Sequence, residues 1–286
     1  MIDDDTDLKE VALSICEDED FKFQDELGGG SFKKVYKVLN PDEDVIALKV
    51  IRGQAASERT QREVEAIQRC DHPNIAELYL LKSHQYEDRI YDYILEEFIE
   101  GDTLHQFVTN SGLLTEDDLF DLGNELIDTI SYLKTLELVH RDIKPENIIF
   151  RADMTPVLVD FGIVRDLSAS SLTHSWAPRG PGTPYFASPE QLNNEKHLID
   201  WRTDQFAVGV VLCYIHFGIH PWEKKGDSPS QVVEKVANRE QKSELFYEKL
   251  NTSKLKCLNK MTGTWPILRY RKTEQLQNAW SQIVEI

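Results

Sequence analysis

The sequence HRDIKPEN at residues 140–147 and the triplet DFG at 160–162 decide how this chain folds. The triplet begins eighteen residues after Asp142, directly behind the apolar run PVLV at 156–159. Either motif alone could be an ordinary polar turn, one following a helix and the other following a strand. Because both occur in this order and at this separation, coincidence is a poor explanation.

The two motifs resemble the HRDxxxxN and DFG signatures of protein kinases. The resemblance implies that Asp142 accepts or orients the hydroxyl proton of the substrate, and that Asn147 and Asp160 supply hard oxygen ligands for Mg²⁺. Phosphoryl transfer needs little covalent help, so the protein must position the reacting groups and neutralise phosphate charge. The resemblance to protein kinases therefore also implies ATP and Mg²⁺ as cofactors.

Upstream, the stretch LGGGSFKKV at 27–35 resembles the kinase loop GxGxxGxV that covers the phosphates. Lys33 replaces the third glycine, where it could add charge or brace the tip of the loop. Taken alone, this stretch is equally typical of a plain Gly-rich turn. The residues that match the nucleotide-binding pattern are Leu27, Gly28, Gly30 and Val35.

Further cofactor-binding residues follow from the same resemblance. Lys49, after Ala47 on a predicted strand, corresponds to the lysine that holds the α and β phosphates, and Glu63 corresponds to its ion-pair partner. Each alone could be a surface side chain. Glu97 and Ile99 fall in the segment that aligns with the hinge between the two lobes and should contact the adenine.

The hinge alignment places Glu96 at the gatekeeper position, where families mostly carry Met, Leu, Thr or Phe. A carboxylate behind the adenine is costly to bury unless it is paired. One hypothesis is that Glu96 competes with Glu63 for Lys49 and so forms an autoinhibitory switch. The alternative is a one-residue slip of the alignment or a strand bulge.

The stretch GTPYFASPE at 182–190 resembles the peptide-docking loop of kinases and indicates a protein substrate, because small-molecule phosphotransferases generally lack it. Ser188 stands where the motif has Ala. Lys144 and Thr183 resemble residues of Ser/Thr-specific members and complete the expected catalytic set. The wording of these motifs is similar to bacterial Ser/Thr kinases.

Three other positions have structural or regulatory counterparts in the family. Asp204 resembles the helix residue that braces the catalytic loop, and Arg269 or Arg271 resembles the partner of Glu190. Arg141 before the catalytic Asp usually indicates docking of a phosphorylated loop. Candidate acceptors are Ser168, Ser170, Ser171, Thr173 and Ser175, with Arg179 standing three residues before Gly182 where Ser or Thr is expected. Autophosphorylation at Thr173 or Ser175 is one hypothesis, and a mobile polar loop is the other.

Composition excludes several other classes. The net charge of −18 argues against non-specific binding to nucleic acid or to an anionic membrane. It is consistent with basic substrates, and solubility alone also explains it. The longest apolar stretch, 206–219, is too short to span a bilayer and predicts a buried helix. Four widely spaced cysteines indicate reduced thiols. We expect a cytoplasmic protein that acts on protein hydroxyls and self-associates for autophosphorylation.

The expected fold is α+β and bilobal: a small antiparallel β lobe with one helix, and a larger, mainly helical lobe. Residues 1–20 should be a mobile or weakly helical acidic leader, followed by a kinase domain over 21–286, with its N-lobe at 21–98 and its C-lobe at 102–286. Strand patterns occur at 21–27, 31–39, 44–51, 75–81 and 90–97. A pseudokinase, suggested by Lys33 and Glu96, and a small-molecule kinase are the two competing interpretations.

Overall fold

The computed structural model describes residues 7–29, 33–52, 64–161 and 184–283. Its first half is an antiparallel sheet with strand order β1-β2-β3-β5-β4. The five strands are β1 (Lys22–Gly29), β2 (Lys33–Leu39), β3 (Val45–Ile51), β4 (Leu78–Tyr86) and β5 (Arg89–Glu97). They confirm the strands predicted from alternation and β-branched content, with shifts of a few residues at the ends.

The strand register separates the residues of this sheet onto two faces. Lys33 lies opposite Ile51 and Val35 lies opposite Lys49, and directly paired residues point to the same side of a sheet. Ile51 packs against Val64 and Ile67, where the backbone is helical at 64–67. This side of the sheet is called the cleft face below.

The outer face of the sheet is covered by an N-terminal helix, α1 (Leu8–Asp18). The helix buries Leu8, Val11, Ala12 and Ile15 against strand residues that include Tyr36, Val38, Leu48 and Tyr93. Of the two alternatives that the sequence left open for this segment, the structure shows the helical one over Leu8–Asp18. The apolar positions recur at helical spacing and form one stripe. This packing was not predicted from the sequence, because the acidic residues dominate the composition of the segment. Asp7 caps the helix by accepting a hydrogen bond from the amide of Lys9.

The remainder of the chain is mainly helical. It contains α2 (Leu104–Ser111), α3 (Glu116–Thr135), the hairpin of β6 (Ile148–Phe150) and β7 (Pro156–Leu158), α4 (Pro189–Leu192), α5 (Trp201–Phe217), α6 (Pro229–Ala237), α7 (Glu244–Thr252), α8 (Cys257–Met261) and α9 (Thr273–Ser281). Thr115 caps α3 through a bond that its hydroxyl accepts from the amide of Asp118. The apolar stretch 206–219 lies largely in the buried helix α5, as predicted. Among the described residues, no helix combines the length and the apolar character that crossing a membrane requires.

The main core of the helical part lies between α3, α5 and α9. Leu122, Leu126 and Ile130 of α3 are buried against α5, while Trp280 of α9 lies over Gly123. A Cβ atom at Gly123 would stand 2.0 Å from the indole ring, so only glycine allows this approach. The indole nitrogen of Trp280 donates to the carbonyl of Phe120 and fixes the contact.

The connection from β5 to α2 passes through Gly101. Its φ of +154° falls in a region that side chains rarely adopt, and a Cβ atom there would lie 1.8 Å from the carbonyl oxygen of Phe150. The backbone of the connection therefore runs in direct contact with the β6–β7 hairpin. The amide of Phe150 also donates to the carbonyl of Asp102, which holds the hairpin against this connection.

The contribution of α1 to stability can be measured at one buried position. Ile15 is fully buried under the sheet, whereas Leu13 is 41% exposed on the same helix. We expect Ile15→Ala to lower the free energy of unfolding by about 3 kcal/mol, because it leaves a cavity. The matched variant Leu13→Ala should change it by less than about 0.5 kcal/mol. Urea unfolding followed by circular dichroism measures both, and equal values would show that α1 does not pack as described.

Candidate active site

The loop of residues 140–147 is held from below by Asp204 of α5. The buried carboxylate of Asp204 accepts hydrogen bonds from the amides of His140, at 2.7 Å, and Arg141, at 2.9 Å. Arg141 has a φ of 67°, a left-handed conformation that such bonds help to maintain. Asp204 therefore braces this loop, as its resemblance to the family residue implied.

Within the loop, the side chain of Asp142 is held by two donors. Its Oδ2 atom accepts from the Nζ of Lys144 and from the Nδ2 of Asn147, both at 3.0 Å. The same amide nitrogen of Asn147 also donates to the carbonyl of Asp142 at 2.9 Å. Lys144 and Asn147 thus fix the orientation of the Asp142 carboxylate.

Asp160 lies just beyond β7 and faces the sheet. The adjacent ring of Phe161 packs 4.6 Å from the ring of His140 and joins the apolar cluster of Ile67 and Ile94. With the phenyl ring fixed on this side, the carboxylate of Asp160 meets Lys49 of β3, and the Oδ1–Nζ distance is 2.5 Å. The lysine predicted to bind phosphate and the aspartate predicted to bind metal are thus adjacent.

A second ammonium group reaches the same oxygen of Asp160. The Nζ of Lys33 lies 2.7 Å from Oδ1, and both side chains are 21% exposed. Lys33 projects from the cleft face of β2, two residues before Val35. The sequence identified Lys33 as a departure from the glycine motif but did not identify this partner, because the contact depends on how the sheet lies over the hairpin.

Glu96 is buried and pairs with the ammonium of Lys49. The register between β3 and β5 is continuous, with Ala47 opposite Glu96 and Lys49 opposite Ile94. The pairing of β3 with β5 therefore has no bulge at Glu96. The pairing of β4 with β5 does shift, between Leu78 and Leu80, which lie opposite Glu96 and Leu95. The carboxylate of Glu96 contacts Lys49 under either explanation of the sequence.

The pKa values of these groups reflect their mutual contacts. Burial alone would lower the pKa of Lys49, but the carboxylates of Asp160 and Glu96 hold it above its ordinary value. Burial would raise the pKa of Asp160, yet the ammonium groups of Lys33 and Lys49 hold it well below its usual range. Burial raises the pKa of Glu96, and Lys49 offsets only part of that increase. Asp160 is therefore fully ionised and able to serve as a metal ligand.

The donor set fits Mg²⁺. The carboxylate of Asp160 offers ionised oxygens, and the amide of Asn147, whose nitrogen is committed to Asp142, presents its oxygen in the other direction. Mg²⁺ prefers such hard oxygen ligands. Among the described residues there is no cluster of three or more His, Cys, Asp or Glu side chains that could hold a metal without a substrate.

The predicted adenine-binding residues lie around the cleft end of the sheet. Ala47 is buried, Val35 is half-buried and Leu27 is exposed. Ile99 is buried in a small apolar cluster with Ala76 and Val157.

Glu97 likewise directs its side chain elsewhere. Its Oε1 atom pairs with the guanidinium of Arg151 at 2.7 Å, which connects the hinge segment to the β6–β7 hairpin. The sequence did not identify this pair. It also did not identify the packing of Ile149 beside Ile99, although Ile149 alternates with the buried Ile148 and Phe150 on the opposite side of the strand.

A shallow pocket borders Asp142 on the side of the predicted docking loop. It is lined by Arg141, Asp142, Ile143, Lys144, Pro184, Tyr185, Phe186, Ala187, Gln191 and Ala207. The amide of Gln191 donates to the carbonyl of Arg141, so the docking segment is tied directly to the catalytic loop. Ser188, the unusual residue of the motif, caps α4 together with Gln191.

Glu190 and Arg269 fix this segment from behind. The two side chains are fully buried, with an Oε1–Nη1 distance of 2.6 Å, and Thr203 donates to the same carboxylate. The family partner of Glu190 is therefore Arg269 and not Arg271. Such a buried pair costs several kcal/mol when one member is removed.

Several predicted residues lie outside the described part of the chain. They are Gly30, Glu63 and Thr183, the candidate phosphorylation sites Ser168, Ser170, Ser171, Thr173 and Ser175, and Arg179.

Comparison with known proteins agrees with this geometry. The family described as protein kinase domain matches residues 21–281. The chain is 30% identical over 262 residues to the serine/threonine-protein kinase PrkC of Bacillus subtilis (strain 168), which covers 88% of this chain and 38% of PrkC. It is 29% identical over 210 residues to the probable serine/threonine-protein kinase PknB of Lactococcus lactis subsp. lactis (strain IL1403), covering 71% of this chain and 32% of PknB.

A solved structure shares the fold. The crystal structure of Rad53 1-466 in complex with AMP-PNP superimposes with a TM-score of 0.70 at 24% identity, covering 91% of this chain and 65% of that one. The chain belongs to the protein kinase family, with the bilobal α+β fold predicted from its motifs. Its resemblance to bacterial Ser/Thr members is also confirmed. The chain spans about a third of the length of these two curated relatives.

The contact between Glu96 and Lys49 allows a direct test of the autoinhibitory hypothesis. Because Glu96 holds the ammonium expected to bind phosphates, we expect Glu96→Met to raise the rate of phosphoryl transfer several-fold. Glu96→Gln should have a similar effect, since it removes the charge and keeps the shape. Initial rates at saturating ATP measure both variants. An unchanged rate in both would eliminate the switch.

Proposed function

We propose that this chain is an ATP-dependent serine/threonine protein kinase that transfers the γ-phosphoryl group of ATP to protein hydroxyls, including its own. The observation that carries the proposal is the contact of Lys49 with Asp160, beside an Asp142 held by Lys144 and Asn147. Such an arrangement combines the groups that phosphoryl transfer needs: a lysine for the phosphates, ligands for the metal and a carboxylate for the substrate hydroxyl.

Each residue has a role that its contacts support. Asp142, whose carboxylate is held by Lys144 and Asn147, orients the substrate hydroxyl and accepts its proton. Lys144, 3.0 Å from Asp142, can follow the transferred phosphoryl group and balance its charge. Asn147 and Asp160 would hold Mg²⁺, which when bound neutralises phosphate charge.

The acceptor class follows from the docking side of the site. The pocket beside Asp142 and the link between Gln191 and Arg141 give an extended peptide a defined position relative to the catalytic loop. Relatives named as serine/threonine-protein kinases support Ser and Thr as acceptors, together with Lys144 and the expected Thr183. Basic proteins suit the net charge of −18.

We place the reaction in the cytoplasm, and the proposal includes self-association for autophosphorylation. The four cysteines, Cys16, Cys70, Cys213 and Cys257, are free thiols, which agrees with a reducing compartment. The acidic charge again supports the absence of nucleic acid and anionic membrane among the partners.

A nucleotide-binding pseudokinase is the second candidate. The pairs of Lys33 with Asp160 and of Glu96 with Lys49 favour it, because each engages a residue that catalysis requires. Against it, all four principal positions carry the residues that phosphoryl transfer needs: Lys49, Asp142, Asn147 and Asp160.

Transfer of labelled phosphate from ATP, to the chain itself and to a basic test protein, separates these candidates. We expect incorporation with Mg²⁺, and a loss of at least about 100-fold in Asp160→Asn and in Asp142→Asn. Asp121→Asn, an exposed carboxylate on α3, is the matched control and should retain the wild-type rate.

Equal transfer by wild type and Asp160→Asn would contradict the proposed kinase. Nucleotide binding by the wild type without any transfer would instead identify a pseudokinase.

A further inference from the structure

We propose that Lys33 is a second phosphate-binding lysine. When Mg²⁺ is bound, the ammonium group of Lys33 moves from the carboxylate of Asp160 to the phosphates of ATP. The inference rests on the proposed function, because it requires a nucleotide in the cleft. It gives a specific role to the residue that replaces the third glycine of the motif.

The strand register places Lys33 in the right position for this role. Lys33 pairs with Ile51 and Val35 pairs with Lys49, so the two lysines project from the same cleft face of neighbouring strands. Lys34, the next residue, projects from the opposite face and pairs with Glu26 at 2.5 Å. Of these adjacent cations, only Lys33 is directed at the cleft.

The two ammonium groups share one carboxylate oxygen. Lys33 lies 2.7 Å and Lys49 lies 2.5 Å from the Oδ1 atom of Asp160. Asp160 is the residue expected to ligate Mg²⁺, and a divalent cation at this carboxylate would repel both ammonium groups. The Oδ1 atom of Asp160 therefore cannot contact both ammonium groups and a bound Mg²⁺ at the same time.

Lys33 and Lys49 differ in what remains for them after a metal binds. Lys49 still contacts the buried carboxylate of Glu96. The ion pair that the structure shows for Lys33 is with Asp160, so Lys33 is the cation that needs a new anion. Its side chain is only 21% exposed, which makes an unpaired charge unfavourable there.

The phosphates provide that anion. The phosphates must lie between Lys49 and the metal ligands. The ammonium of Lys33, which projects from the neighbouring strand β2, already reaches the same carboxylate oxygen as Lys49. A lysine stem is long and flexible, so its ammonium can move from a carboxylate to a phosphate without a change in the backbone. In the usual motif a glycine brings only backbone close to the phosphates, whereas this chain adds a charge.

Isothermal titration of two ligands tests the inference. The ligands are adenosine, which has no phosphate, and AMP-PNP with saturating Mg²⁺. We expect Lys33→Ala to weaken binding of Mg·AMP-PNP by at least about tenfold, because one charged hydrogen bond to a phosphate is lost. Binding of adenosine should be unchanged, because adenosine has no phosphate for Lys33 to contact.

Two matched variants serve as controls. Lys34→Ala removes the same charge from the opposite face of the strand and should change either affinity by less than about twofold. Lys33→Arg retains the charge and should bind Mg·AMP-PNP within a few-fold of wild type. Thermal unfolding of each variant shows whether it is folded, and Lys33→Arg keeps the test decisive if Lys33→Ala is not.

Three results would overturn the inference. Equal affinity of wild type and Lys33→Ala for Mg·AMP-PNP would show that Lys33 does not contact the phosphates. Tighter binding by Lys33→Ala would show that Lys33 only blocks the metal ligand. Equal weakening in Lys34→Ala would indicate a general charge effect. A wild-type chain that binds neither ligand would instead contradict the proposed function itself.

Discussion

The carboxylate of Asp160 connects the sheet to the segment that follows β7 through its ion pairs with Lys49 and Lys33. The proposed roles of both lysines depend on these contacts. Two lysines face two acidic side chains, Asp160 and Glu96, so the four charges balance. A balanced set of this kind holds the sheet against the segment that follows β7. It also gives every member a defined partner to exchange when charged ligands enter.

The helical part of the chain supplies a rigid support for this arrangement. Asp204 on α5 holds the catalytic loop through two backbone amides, and Glu190 with Arg269 holds the docking segment behind it. Gln191 then links the two segments. Because these anchors are buried and fully paired, the position of Asp142 depends on the core and not on an exposed loop.

The sequence predicted the parts of the site whose spacing is set by local chemistry. Asp142, Asn147 and Asp160 could be predicted as site residues because a short loop and a hairpin fix their order along the chain. Asn147 bonds to Asp142, and its backbone carbonyl accepts from the amide of Val159, the residue before Asp160. The sequence did not predict contacts between side chains that lie far apart along the chain. Lys33 meets Asp160 only because β2 lies above the hairpin, and Glu97 pairs with Arg151 across the hinge. The packing of α1 was missed because charge dominated its composition, although Leu8, Val11 and Ile15 already showed helical spacing.

The central claim is that this chain uses ATP to phosphorylate Ser or Thr hydroxyls of proteins. The most direct measurement offers it two basic peptides that are identical except for a Ser or a Tyr acceptor, with γ-labelled ATP and Mg²⁺. The account predicts that label accumulates on the Ser peptide and not on the Tyr peptide. Label on the Tyr peptide alone, or on neither peptide, would contradict it.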